Sequence, residues 1–597
     1  MTIASPVLLQ GAANLPALFF TVAERQPLRP AQWRRGEAGY MPITYAQMQA
    51  QVRAVAAGLI RAGVQAGDHV VLLMENRPEW AVADYAILAI GAVTVPMYCS
   101  YRPQDIAYVL DDARAHIAIT SGGVLLRHLL LATEIGDGLS RIFCLDNGQQ
   151  EDERVCYFAE LAGEFSASET DDAELYRRIE AVTKNTLATL IYTSGTTGNP
   201  KGVMLTHGNI MANLEVVPDV IGLREDEIML SFLPLAHALE RTGGHFLAYS
   251  FGLSVAFAER PDSVVKNMGE AHPTLMVTVP RLLEVVRSRI LGQVAQQSAV
   301  KRFLFASFLK LALRAERAPL SALAKLRLRL LDRLVGRAIR ARFGGHLRLL
   351  ISGGAPLSVE VAKFFEALGL PVLEGYGMTE AAPLISVNPE HDRRLGSVGQ
   401  AAFNVEVRIA DDGEIMARGP NIMQGYWQQK QETAAAMHDG WLYTGDIGRL
   451  DDGYLYITDR KKDLIVNSGG ENIAPQRIEG LLVGDTLIDQ AVVYGDKKPY
   501  LVALIAANNE ACTAWAAAEG LPQSDWAHLC AAKVLQKMLQ SRITMLLKPL
   551  SPFEQVRRIY VIDCPLTIED DMLTPTMKVK RRQVFARYGE VLEALYG

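Results

Sequence analysis

The sequence predicts an α/β protein: a large multi-sheet N-terminal domain of parallel sheets and helices, then a small mobile α+β C-terminal domain. Three observations carry this expectation. At 597 residues the chain exceeds what one ordinary core accommodates. Over residues 45–119 apolar runs alternate with amphipathic stretches, the pattern of βαβ units. A charged run, Asp459-Arg460-Lys461-Lys462-Asp463, then suits a hinge, dividing the chain into 1–459 and 460–597.

Residues 47–62 carry apolar side chains at helical spacing, 70–74 form a buried strand, 80–91 are helical again, and 93–97 supply the next strand. Strand, helix and strand in this order imply right-handed crossovers and a mainly parallel sheet. Further apolar runs stand at 188–192, 228–230 and 275–279. From 287 to about 345 the pattern turns helical and strongly basic, with Leu, Phe and Ala between the cations. Short strands and turns follow residue 353, and 463–597 alternates strands with helices over a length sufficient for an α+β domain.

Composition removes several function classes. A net charge of -6 gives no general drive towards nucleic acid. There is neither an apolar run of about 18 residues nor a basic-then-apolar leader at Met1, so a cytoplasmic protein is expected. The six cysteines form no C-x-x-C and join no His cluster, which argues for reduced thiols over zinc or dithiol chemistry.

The densest chemical information is Ile191-Tyr192-Thr193-Ser194-Gly195-Thr196-Thr197-Gly198-Asn199-Pro200-Lys201-Gly202. An apolar run delivers the chain into small residues whose backbone and hydroxyls can wrap a phosphate chain, and Lys201 adds a compact cation. It is not a Walker A loop, which needs Gly-Lys followed by Ser or Thr, whereas Lys201 stands between Pro200 and Gly202.

YTSGTTGNPKG resembles the phosphate loop of the adenylate-forming superfamily of AMP-dependent synthetases and ligases. That superfamily groups acyl-CoA synthetases, luciferases and nonribosomal adenylation domains. The resemblance covers about 40 to 597. It implies that Thr193, Ser194, Gly195, Thr196, Thr197, Gly198 and Lys201 hold the ATP phosphates.

In Leu233-Pro234-Leu235-Ala236-His237-Ala238-Leu239-Glu240-Arg241, His237 resembles the histidine that borders the acyl pocket, and the continuation to Glu-Arg is most like the long-chain branch. Gly353, Gly354 and Ala355 would form one wall of the adenine site. Leu373-Glu374-Gly375-Tyr376-Gly377-Met378-Thr379-Glu380 would supply another nucleotide wall. There Tyr376 would stack on adenine, Thr379 would donate to the α-phosphate, and Glu380 would hold Mg²⁺. Asp446 would take the ribose hydroxyls, Arg460 ribose or phosphate, and Lys462 would be the pivot. Gly469, Gly470 and Glu471 resemble the loop that helps form the pantetheine tunnel. Lys578, in Leu573-Thr574-Pro575-Thr576-Met577-Lys578-Val579-Lys580-Arg581, resembles the catalytic lysine. Met577 replaces the glycine common before it, and Lys580 is the competing choice.

The resemblance implies a long-chain fatty acid–CoA ligase using ATP, Mg²⁺ and coenzyme A, with a homodimer as a family-level expectation. Two enzyme alternatives stay open: a fatty acyl-AMP ligase loading an acyl carrier protein, and an aryl or medium-chain acid CoA ligase. A catalytically inactive acyl- or nucleotide-binding protein is opposed by the presence of Glu380, Asp446, Arg460 and Lys578 together. The preferred chain length is not legible, because neighbouring lengths differ by one methylene, about 0.8 kcal/mol. The basic insert reads equally as a peripheral contact with anionic membrane or as a solvated helical subdomain.

Overall fold

The computed structural model describes residues 11–136, 138–146, 152–162, 169–193, 199–260, 263–461, 463–521, 525–574 and 578–597. Helix Tyr45–Arg61 begins at a capping box: Thr44 Oγ1 accepts from the Gln47 N–H at 3.2 Å, and Gln47 Oε1 accepts from the Thr44 N–H at 2.8 Å. Strands His69–Leu73 and Val93–Pro96 lie parallel, with His69 opposite Val93. Val70 and Leu72 enter one apolar cluster with Trp80 and Leu88, while Val71 and Leu73 enter another with Val95 and Ile106. A strand buried on both faces reads as an unbroken apolar run, which is how the sequence disclosed it.

These strands belong to an eight-stranded sheet. Its order is Gly425–Tyr426, Lys201–Thr206, Leu187–Thr193, Val93–Pro96, His69–Leu73, Ile117–Thr120, Arg141–Cys144, Val155–Tyr157. Pairings from Leu187–Thr193 onward are parallel, but Lys201–Thr206 runs antiparallel to Leu187–Thr193 with Thr193 opposite Lys201. The phosphate loop therefore joins two paired strands.

A fourteen-stranded sheet provides the rest of the large domain. Ser254–Phe257, Ile228–Ser231, Leu275–Thr278, Leu349–Ser352 and Val372–Gly377 are successive parallel neighbours. Beyond Val372–Gly377 the sheet turns antiparallel, through Leu384–Val387 to the long hairpin Trp441–Asp451 and Tyr454–Arg460.

In the small domain, Ile488–Tyr494, Leu501–Ala507 and Val556–Ile562 form a three-stranded sheet. Helices Pro475–Val483 and Lys533–Leu547 cover one face and Arg581–Ala594 the other. The predicted class, an α/β chain with a large mixed-sheet domain and a smaller α+β one, is the fold observed.

Two local expectations need correction. The basic insert becomes helical at Pro280, in helices Pro280–Ala295, Ala299–Arg317 and Ala322–Leu331, because proline suits the first helical position. The hairpin Pro30–Gly36 and Gly39–Thr44 lies ahead of the first predicted element. It is an edge pair whose arginines and glycines hide any strand alternation.

Candidate active site

Ligands of open α/β sheets bind beyond the carboxyl ends of the strands, and here the motif residues gather at such ends. Strand Leu349–Ser352 delivers Gly353, Gly354 and Ala355, and Gly354 takes a positive φ of 81° that a side chain would resist. Its neighbour Val372–Gly377 presents Glu374, Gly375, Tyr376 and Gly377, and Met378 leads into the short turn Thr379–Ala381. Burial pushes the Glu374 carboxyl up to about 7.

Gly377 admits no substitute. A Cβ there would lie 1.9 Å from the Pro383 carbonyl oxygen, which already accepts the Met378 N–H at 2.9 Å. Gly377→Ala is therefore expected to displace Thr379 and Glu380. Acid-dependent pyrophosphate release should fall at least about 10²-fold, as a displacement of order 1 Å in a catalytic group can cause. Unchanged release by a folded variant would refute this account.

Glu380 is buried, and the Tyr426 hydroxyl donates to its Oε1 at 2.8 Å. Loss of hydration raises its pKa, so the site favours a cation or a proton there. Asp446, also buried, stands opposite Arg460 in the long hairpin. Its Oδ2 accepts from the Tyr376 hydroxyl at 2.7 Å and its Oδ1 from Arg460 Nε at 3.0 Å. Lys201 pairs with Glu432 and stands 4.9 Å from the centre of the Tyr426 ring. Ser194, Gly195, Thr196, Thr197, Gly198 and Lys462 lie outside the described residues.

The small domain brings Lys578 to this group. Its backbone N–H donates to Thr574 Oγ1 at 3.1 Å, and its carbonyl accepts the Thr574 N–H at 2.8 Å. The residue is exposed to solvent. Loss of hydration and then the Arg460 cation bring its ammonium down to about 8, against the pull of Asp446 and Glu380. Burial, and then the Lys578 charge, holds His237 down to about 4, so its imidazole is neutral. His237 Nδ1 accepts the Leu239 N–H at 3.2 Å. Lys580 instead bonds Asp571 at 2.5 Å, which separates the two lysines of the motif.

Gly469, Gly470 and Glu471 stand apart from this convergence. They turn between Ile465–Val466 and Asn472–Ile473, and the Gly469 and Glu471 N–H groups donate to Asn467 Oδ1 at 2.9 and 3.0 Å. Among the described residues their hydrogen bonds stay inside the small domain.

Sequence reasoning missed the polar knot beneath the site. Asp84 and Arg241 are 0% and 1% exposed, with Arg241 Nε 3.0 Å from Asp84 Oδ2 and Nη2 2.5 Å from Oδ1. Arg241 Nη1 also donates to Thr189 Oγ1 at 2.6 Å, and the Thr94 hydroxyl donates to Asp84 Oδ1 at 2.8 Å. This ties strands of the first sheet to the segment that carries His237. An aspartate within the otherwise apolar run Trp80-Ala81-Val82-Ala83-Asp84-Tyr85-Ala86-Ile87-Leu88 was the available signal. Tyr426, which bonds Glu380, announced itself by no motif.

Comparison with known proteins shows the family and the fold. The model of the AMP-binding enzyme family matches residues 19–427, and that of the AMP-binding enzyme C-terminal domain matches 462–597. The chain is 35% identical to the long-chain-fatty-acid–CoA ligase FadD15 of Mycobacterium bovis, over 98% of this chain and 97% of that one. It is 31% identical to long-chain-fatty-acid–CoA ligase 6 of Mus musculus, over 98% and 85%. Among solved structures, the adenylation domain of a carboxylate reductase from Mycobacterium chelonae superposes with a TM-score of 0.78 at 22% identity, covering 99% and 93%. An anthranilate CoA ligase in complex with anthranoyl-AMP gives 0.74 at 20% identity, covering 97% and 98%.

Proposed function

The chain belongs to the AMP-binding enzyme family, and from that premise we propose that it joins a long-chain fatty acid to coenzyme A. The acid's carboxylate attacks the α-phosphorus of ATP, pyrophosphate leaves, and the acyl-adenylate then loses AMP to the coenzyme A thiol. It is an acid–thiol ligase of the AMP-forming kind. Relatives of that name span nearly the whole chain at 31–35% identity. What supports the residue roles is that the Lys578 ammonium, carried by the small domain, feels the charges of Arg460 and of Asp446 and Glu380 in the large domain.

In this reading 1–459 holds ATP and the acid, and 460–597 is the mobile part. Charge builds on the α-phosphoryl oxygens during the first step, and Lys578 and Thr379 would meet it. Asp446 and Arg460 receive the ribose by exchanging their present bonds. Neutral His237 borders the carboxylate without adding charge. The small domain then turns about Lys462, withdrawing Lys578 and presenting Gly469, Gly470 and Glu471 to the pantetheine arm.

The residues fit a magnesium ion bound largely through its nucleotide. Glu380 is a buried carboxylate whose ionisation wants a cation, and the described residues hold no group of three or more His, Cys, Asp and Glu that could hold a metal. Such an ion, when bound, neutralises phosphate charge. A cytoplasmic location and a homodimer complete the reading, the latter checked by light scattering.

The deciding experiment follows pyrophosphate release with Mg-ATP across acids from acetate to oleate plus benzoate, with and without coenzyme A, identifying products by mass. Acyl-CoA from the longer acids is expected. Adenylate that accumulates regardless of coenzyme A would point to a carrier-protein acceptor.

The lysine also sets a pH dependence. Lys578 must be protonated to stabilise anionic charge, so kcat/KM for ATP should fall as pH rises through about 8, the free-enzyme value. Bound triphosphate favours the cation, so the limb in kcat should lie higher. Lys578→Arg should remove the limb from the accessible range. A limb that persists in that variant would assign it to another group.

A further inference from the structure

Helix Ala322–Leu331 and the wider turn Asp332–Gly336 that continues it carry leucines on two faces. Leu331 belongs to the core cluster of Phe305 and Phe308. Leu323, Leu326, Leu330 and Leu334 instead stand 79%, 54%, 54% and 65% exposed. Their steps of three, four and four residues place them on one helical stripe facing water. Val300 and Phe303, at the start of the adjoining helix Ala299–Arg317, are exposed as well.

Cations flank this stripe. Over 318–342 the acid Asp332 is alone among Lys325, Arg327, Arg329, Arg333, Arg337, Arg340 and Arg342, and Arg340 Nη1 already holds it at 2.8 Å. Among the described residues Arg327, Arg333 and Arg337 have no ion-pair partner. Leu326, Leu330, Arg333 and Arg337 line a shallow depression of about 480 Å³.

A soluble face would have no use for four aligned leucines, and a core-packing face would not surround them with guanidinium groups. A second copy of this chain fits poorly, because a two-fold interface would bring the same cations against each other. We propose that this face docks on the surface of an anionic phospholipid bilayer, with the leucines in the interfacial layer and the guanidinium groups on headgroup phosphates. Guanidinium matches phosphate geometry, and leucine gains from the acyl boundary. The inference rests on the long-chain reading only for its use: such acids concentrate in bilayers, where a docked enzyme would meet them.

The test is flotation of the full-length protein, without ATP or acid, on vesicles of phosphatidylcholine alone and of phosphatidylcholine with phosphatidylglycerol. Binding to the anionic vesicles, weakened by salt, is expected. Arg327→Glu with Arg333→Glu and Arg337→Glu should lower that partitioning by roughly a hundredfold or more, given the usual contribution of each surface cation. Leu326→Ser with Leu330→Ser and Leu334→Ser should weaken it while preserving the salt dependence. Unfolding transitions of both variants should match the parent. Absent or salt-insensitive binding, or equal binding by the charge-reversed protein, would overturn the proposal. So would a change of oligomeric state in either variant without vesicles, which would make the face an interface between copies. Ligase turnover is not a readout, so this proposal and the ligase reading fail separately.

Discussion

Lys578→Ala is expected to slow acyl-adenylate formation by roughly 10²–10³, the loss that follows removal of one preorganised donor from a developing oxyanion. Thioester formation from supplied acyl-adenylate should be far less affected. The asymmetry follows from where the charge appears: pentavalent phosphorus gathers negative charge in the first step, whereas the second has an acyl carbonyl at its centre. The lysine is carried by the small domain and feels the charges of Arg460, Asp446 and Glu380, and in the proposed reading it serves the first step. Lys580→Ala is the internal comparison, since that amine is committed to Asp571. Separate assays of pyrophosphate release and of acyl-CoA formation from synthetic adenylate check this. Equal losses in both would mean that Lys578 serves more than adenylation.

Arg241→Met should produce the largest loss of stability. It leaves Asp84 buried with its strongest counter-charge gone, and breaking a buried pair from one side costs about 3–5 kcal/mol. The large domain's urea midpoint should fall accordingly, while Lys578→Ala leaves it in place. Burial alone would raise the Asp84 pKa, but Arg241 and then His245 outweigh it, leaving a value of about 2. A carboxyl held below its unfolded value contributes stability above the unfolded pKa of about 3.9 and loses it as pH falls through the folded one. The parent should therefore shed this contribution only between about pH 4 and 2. An unshifted urea midpoint at neutral pH would show that the knot relaxes without Arg241.

Legibility in the sequence followed the range of the interaction. His69–Leu73 and Leu187–Thr193 were readable because burial on both faces leaves an apolar run. Helix Tyr45–Arg61 was readable because one face is buried and its cap is local. Site residues came through contiguous motifs, which is why Glu380 and Tyr376 could be proposed together. Long-range contacts left no such trace. Tyr426 reaches Glu380 across 46 positions, and Arg241 reaches Asp84 across 157. The engagement of Asp446 by Tyr376 was equally hidden, because nothing local says which side chain a carboxylate meets before a nucleotide arrives. The first hairpin escaped because an edge strand with one wet face need not alternate cleanly.

The chain around the domain junction is fastened in a manner that bears on how the proposed turn of the small domain would begin. Lys461 Nζ grips Asp412 at 2.5 Å and Glu414 at 2.8 Å, and its backbone N–H donates to the Gly445 carbonyl at 2.8 Å. Everything up to that residue is stapled to the large domain. Just past the next position, the N–H groups of Asp463 and Leu464 both latch onto the Arg460 carbonyl, at 3.0 and 3.1 Å. If the small domain turns about Lys462 as proposed, those two backbone bonds would have to open while the Lys461 staple stays shut, like a door whose catch sits beside its pin. Asp463→Pro would delete one of those donors, so it should favour the swung-open posture and hasten the exchange between the two half-reactions. The same change should weaken the hold on the arrangement seen here, in which the Lys578 ammonium feels Arg460, Asp446 and Glu380.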